Sequence, residues 1–180
     1  MREFELLAQD ARVSGPVIET FLVALGPYRS RGARVVARAC GEETIDTSAG
    51  RTYQLRGYLS ALDEFQRQFG QDFMHKVGAL IFDTAIFPPG IDGIEKALEL
   101  VDTAYRMNIT NGEDGIGSYR WTMLGDRSGT MACDNPFPCS FDLGIVKSIA
   151  RRFEPNARVE HTGNSCRHRG GTTCTYAVEW

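Results

Sequence analysis

Cys139-Ser140-Phe141-Asp142-Leu143-Gly144-Ile145-Val146-Lys147-Ser148-Ile149-Ala150-Arg151-Arg152-Phe153 is the stretch from which the architecture can be read. Phe141, Ile145, Val146, Ile149 and Phe153 recur at helical spacing, so one stripe of this segment is apolar and expects a partner. Asp134-Asn135-Pro136-Phe137-Pro138 precedes it and excludes helix interior, because proline lacks the N–H and clashes with the preceding turn. Cys139 therefore opens the helix, and Pro155 ends it. Upstream, Gly117 to Leu124 and Ser128 to Cys133 alternate like strands on either side of a turn at Gly125-Asp126. Downstream, Ala157 to Glu160 and Thr175 to Trp180 read as two closing strands. A helix bracketed by two strand pairs predicts a mostly antiparallel sheet and places the chain in the α+β class.

The N-terminal part adds helices that pack on this sheet. Val17, Ile18, Phe21, Leu22 and Leu25 predict a short amphipathic helix over residues 16–25, stopped by Gly26-Pro27. Arg34 to Cys40 and Thr52 to Arg56 are expected to form a hairpin through the polar stretch from Gly41 to Gly50. Leu62, Phe65, Phe69, Phe73, Val77 and Leu80 mark a long helix from Ser60 to about Ala85, in which Gly70 and Gly78 are weak points. Phe87-Pro88-Pro89-Gly90 breaks the chain. Ile94, Leu98, Val101 and Tyr105 then predict a helix over residues 91–107, expected to pair with the long helix in antiparallel fashion.

The chain has 180 residues, 20 Lys+Arg against 23 Asp+Glu, and a net charge of −3. That length suits one domain, 1–180, with a core that needs no disulfide staples. The charge balance gives no positive field for direct nucleic-acid binding, and Arg151, Arg152, Arg167 and Arg169 read as a solvated surface. The first residues lack an apolar signal region, and no stretch approaches the roughly 18 apolar residues of a membrane span, so a cytoplasmic, reduced protein is expected. Walker-type and dinucleotide-binding glycine motifs are missing. The carboxylate pairs Glu42-Glu43 and Glu113-Asp114 lie in turn-like sequence.

Four of the five cysteines, Cys133, Cys139, Cys166 and Cys174, fall in the last third of the chain. Thiolates and an imidazole gathered in one region are what tetrahedral zinc requires. Cys139, Cys166 and Cys174 each sit at an element boundary, where side chains converge without breaking a ladder. Candidates for the fourth donor are His161, Cys133, Glu160 and His168. Cys40 reads as a small buried apolar residue. Cys139 at a helix N-terminus could also serve as a reactive thiolate.

Phe137-Pro138-Cys139-Ser140-Phe141-Asp142-Leu143-Gly144, with Ser165-Cys166-Arg167, Gly170, Cys174, Tyr176 and Val178, resembles the 4-vinyl reductase-type domain. The resemblance covers about residues 115–180. It implies the fold shared by the sensor module of phenol- and xylene-responsive activators, heme nitric-oxide-sensor domains and TRAPP vesicle-tethering subunits. It also implies structural zinc on Cys139, Cys166 and Cys174. The sensor members use a glutamate three residues before the second cysteine, where this chain has Gly163. His161 is the favoured replacement and Cys133 the alternative. Tyr28-Arg29-Ser30-Arg31 is similar to the propionate-binding motif of the heme sensors, but its arginine stands one position early and the likeness is set aside.

The function so implied is a stand-alone sensory domain that binds a small hydrophobic or aromatic molecule, as a homodimer or with a protein partner. Its pocket candidates are Phe69, Phe73, His75, Tyr105, Tyr119 and Trp121, without catalytic residues. Zn2+ is the expected cofactor, with heme, on His75 as axial ligand, ranked behind it. A second reading is an enzyme or accessory factor in tetrapyrrole metabolism, and a third is a dimeric interaction scaffold.

Overall fold

A computed structural model describes residues 1–113 and 115–180; Asp114 of the Glu113-Asp114 pair lies outside the described residues. The fold is α+β, with helices packed on antiparallel sheets. Strand β1 (Arg12–Ser14) leads into helix α1 (Gly15–Ala24), where Pro16 occupies the first turn and Val17, Ile18, Phe21 and Leu22 are buried. A 3-10 turn (Gly26–Tyr28) joins α1 to α2 (Arg29–Cys40), and β2 (Thr52–Gln54) runs directly into α3 (Leu55–Ala79). Short helices α4 (Ile81–Thr84), α5 (Ile94–Glu99) and α6 (Val101–Asn108) follow, and β3 (Ile109–Thr110) closes a small antiparallel sheet ordered β2-β1-β3.

The second sheet comprises β4 (Tyr119–Gly125), β5 (Ser128–Cys133), β6 (Arg158–Thr162) and β7 (Cys174–Glu179), in the order β4-β5-β7-β6 with every pair antiparallel. Helix α7 (Cys139–Phe153) lies between this sheet and α3, with Phe141, Ile145, Val146 and Ile149 buried.

The structure corrects several sequence expectations. Residues 34–40 are helix, not strand: Gly32, Val36 and Ala37 form the buried face of α2. Gly41, read as a hairpin turn, is instead the left-handed cap of that helix at φ 73°, and the Glu42 N–H bonds back to the Ala37 carbonyl. The long helix takes α7, not the 91–107 region, as its principal partner. The cause is a pair of glycines. A Cβ on Gly78 would stand 1.9 Å from the Phe141 carbonyl oxygen, and one on Gly144 2.2 Å from that of His75. Hydrogen at both positions lets the two backbones touch. Gly70, at φ 78° and ψ −175°, kinks α3, and the 91–107 segment divides at Leu100 into α5 and α6.

Candidate metal centre and the buried network behind it

The β6–β7 register pairs His161 with Tyr176, so both side chains leave the sheet on the face toward α7. Glu160 pairs with Ala177 and points the other way. Cys174, two residues before Tyr176, shares the inner face. Cys139 is the first residue of α7, and Tyr176 Oη donates to its carbonyl at 2.6 Å. Cys166 precedes a 3-10 turn, Arg167–Arg169; the Arg169 and Gly171 N–H groups bond its carbonyl, and Gly170 takes a left-handed φ of 84°. This tight loop brings the Arg167 N–H to 3.3 Å from Cys174 Sγ.

The donor atoms of Cys139, His161, Cys166 and Cys174 all lie within 4.8 Å of one another, with Cys166 Sγ and Cys139 Sγ 3.9 Å apart. Ligand atoms about 2.0 to 2.3 Å from a common tetrahedral ion fall at comparable separations. His161 Nε2 is buried and has no hydrogen-bond partner. An orphaned imidazole nitrogen facing three thiols is costly unless a cation takes its lone pair. Cys174 is held below the usual thiol range, first by the hydrogen bond from Cys139, then by the Arg167 N–H and guanidinium, against the effect of burial. A thiolate with N–H support is the state a metal ligand requires. Donor set and separation both fit zinc.

The other candidates lie elsewhere. Cys133 is fully buried on β5 opposite Cys174, outside the four-donor group, and burial pushes its thiol well up. His168 turns to Glu3, with Nδ1 2.9 Å from Oε2.

Behind the metal cluster is a buried network that the sequence alone does not reveal. Arg167, expected on the surface, is 2% exposed. Its guanidinium pairs with Asp142 and bonds Asn135 Oδ1 at 2.9 Å and the Phe137 carbonyl at 2.8 Å. Asp142 also accepts from Tyr119 Oη at 2.5 Å and from Asn135 Nδ2 at 3.3 Å. Burial pushes the Asp142 carboxyl up to about 6, opposed by Arg167, Tyr119 and Asn135. The available signal was its place on α7, one residue past Phe141 and three before Ile145, where a carboxylate must meet a buried partner.

Tyr119 connects this network to a cavity of about 40 Å3 between α1, α4, α6, α7 and β4, with Val17, Ile81, Val101, Tyr105, Phe137 and Ile145 among its walls. Its polar wall groups are already engaged: Tyr105 Oη donates to the Ile116 carbonyl at 2.7 Å, and Asn108 bonds Ile86, Ala104 and Ser14. Tyr105 and Tyr119 are the two pocket candidates that line this cavity. Phe69 and Phe73 join Phe21 and Phe65 in an aromatic cluster on α1 and α3, with Phe69 46% exposed. Trp121 lies over Gly129 beside Trp180. His75 is half-buried near Lys147 and Arg151 on α7, and burial and those cations lower its pKa. The cavity wall includes no histidine, cysteine or methionine, and His75, the expected axial ligand, is not among its lining residues. Tyr28 is exposed and Arg29 pairs with Glu19, so that string holds nothing near the cavity.

Neither a protein-family profile nor a curated protein matches the chain. Solved structures do. An H-NOX protein from S. oneidensis in the Fe(II)NO ligation state superposes with a TM-score of 0.68 at 11% identity, covering 92% of this chain and 98% of that one. A structure described as probing heme distortion in the H-NOX family gives 0.63 at 13% identity, covering 93% and 94%. An Fe(II) unliganded H-NOX variant from K. algicida gives 0.58 at 15%, covering 92% and 95%. The chain has the fold of heme nitric-oxide-sensor domains. No described helix is long and apolar enough to cross a membrane.

Proposed function

We propose that this protein is a sensory domain of the 4-vinyl reductase type that holds structural zinc on Cys139, His161, Cys166 and Cys174 and binds a small hydrophobic molecule in the cavity beside it. The observation that carries the reading is the convergence of those four donors around an otherwise unpartnered His161 Nε2. Four protein donors leave no open position, which favours a structural over a catalytic ion. Bound zinc would supply a cross-link among the start of α7, the end of β6 and the loop before β7. The residues themselves do the remaining work: Arg167 steadies Cys174 through its N–H, and its guanidinium carries that position to Asp142 and Tyr119 at the cavity wall.

The cavity selects by size and by apolar surface. Its tyrosines and Asn108 already spend their hydrogen bonds within the protein, so a ligand gains chiefly from displaced water and packing. Ala85 and Phe87, the half-buried residues of its wall, mark the side from which a ligand would enter. A cytoplasmic homodimer acting through a protein partner is the setting we assign to it.

The fold neighbours favour a specific second reading, heme in place of an apolar ligand. Metal analysis and an absorption spectrum of protein purified without added metal separate the two. The expected result is one zinc per chain and no Soret band. A Soret band would replace this reading with the heme one, and protein free of both zinc and heme would remove the metal centre.

A further inference from the structure

Glu3 lies 136 residues from Cys139 and 165 from His168 in sequence, yet its carboxylate touches both. Oε1 accepts the Cys139 N–H at 2.6 Å, and Oε2 lies 2.9 Å from His168 Nδ1. Gln66 Nε2 on α3 reaches Oε2 at 3.4 Å. The Glu3 side chain is only 8% exposed. A carboxylate at the first N–H groups of a helix is well placed against the positive end of the helix dipole, but a solvent-exposed cap would serve that purpose equally. What distinguishes this one is that it bridges the two segments carrying the cysteines: the start of α7, and the loop between Cys166 and Cys174.

The backbone on either side of Glu3 supports the same placement. The Phe4 N–H bonds the Pro136 carbonyl at 2.7 Å, just before α7, and the Met1 nitrogen bonds the Thr172 carbonyl at 2.9 Å, just before Cys174. Phe4 itself sits at φ 60°, a left-handed conformation that a bulky side chain adopts only when its surroundings impose it. The turn at Phe4 directs Glu3 inward while the chain continues along the surface.

Resting on the zinc reading above, we infer that Glu3 is a positioning residue of the metal centre: through the Cys139 backbone and the His168 ring it sets the separation of the two cysteine-bearing segments and so governs how long the ion stays bound. Supporting groups around metal ligands commonly change affinity by about 10- to 100-fold when removed.

The test compares wild type, Glu3→Ala and Glu3→Gln in the full chain. Each is loaded with zinc, and release is timed by a chromogenic chelator. Each is also loaded with Co(II), whose thiolate charge-transfer and d–d bands report coordination geometry. Glu3→Ala is expected to release zinc about tenfold faster or more and to shift the d–d bands. Glu3→Gln, which keeps an acceptor for the Cys139 N–H and a partner for His168, is expected to recover most of the wild-type rate. Unchanged release and spectrum in Glu3→Ala would overturn the inference while leaving the zinc reading intact. Wild type lacking thiolate-to-Co(II) bands would overturn the zinc reading itself. A fall in melting temperature with wild-type release and bands would mark Glu3 as structural only, and also sinks the proposal.

Discussion

Asp142 carries one end of a fully buried ion pair, and its surroundings decide what replacing it costs. Burial raises its carboxyl, and the Arg167 guanidinium, the Tyr119 hydroxyl and the Asn135 amide oppose that rise and favour the charged form. Asp142→Asn would leave the Arg167 guanidinium buried without a counter-charge, a change that costs about 3 to 5 kcal/mol in comparable buried pairs. Tyr119→Phe removes one donor to the same charged group and is expected to cost less, about 1.5 to 3 kcal/mol. Urea denaturation of the metal-loaded protein checks the order; equal losses would show that the ion pair contributes no more than the tyrosine hydrogen bond. The four donors of the proposed metal centre could be picked out in sequence because cysteine and histidine announce their chemistry whatever surrounds them. Arg167 could not: an arginine in a polar loop beside Arg169 looks solvated, and only the fold shows that its loop tucks under α7, so the place of Asp142 next to Phe141 hints at a buried partner without naming it. Glu3 is beyond reach for the same reason, since its partners are far along the chain.

The helix α7 is gripped on both sides, and the side toward α3 depends on two hydrogen atoms. Gly144→Ala would drive a Cβ into the His75 carbonyl, and Gly78→Ala into that of Phe141. Both obstacles are backbone, so relief requires the helices to separate. Each substitution is expected to cost about 1 to 3 kcal/mol or more despite alanine's better helix propensity. Because both act on one crossing, the double variant should lose less than the sum of the singles, whereas additive losses in thermal or urea melts would mean that the glycines act at separate places. In sequence Gly78 reads only as a weakness within a helix, because spacing reports which face is apolar and not what that face meets. The same blindness places α2 among the strands. Val35 and Val36 favour strand when read locally, and the evidence for helix, the cap at Gly41, has the same residue type as a hairpin turn. The second half of the chain is easier, since β4, β5, α7, β6 and β7 are set off by proline, glycine or clear turns.

Across the whole molecule, the metal cluster and the cavity are the two ends of one buried path: Cys174, Arg167, Asp142, Tyr119. Zinc on the four proposed ligands would keep the Cys166–Cys174 loop folded; that loop supplies Arg167, and Arg167 holds Asp142, which accepts from Tyr119. The small sheet β2-β1-β3 and helix α2 have no part in this path. Chelation should therefore act unevenly. Removing zinc is expected to lower the melting temperature and to raise amide hydrogen exchange over residues 161–174 and 134–142, while β1 and α2 keep most of their protection. The same treatment should weaken any small apolar ligand of the cavity, because Tyr119 loses its fixed acceptor, and by reciprocity such a ligand should slow zinc loss. Exchange that rises evenly through the chain would mean that zinc stabilises the fold as a whole without privileged connection to the cavity. Exchange confined to the cysteine loop, with residues 134–142 still protected, would break the path at Arg167 and leave the metal and the cavity as independent features of one fold.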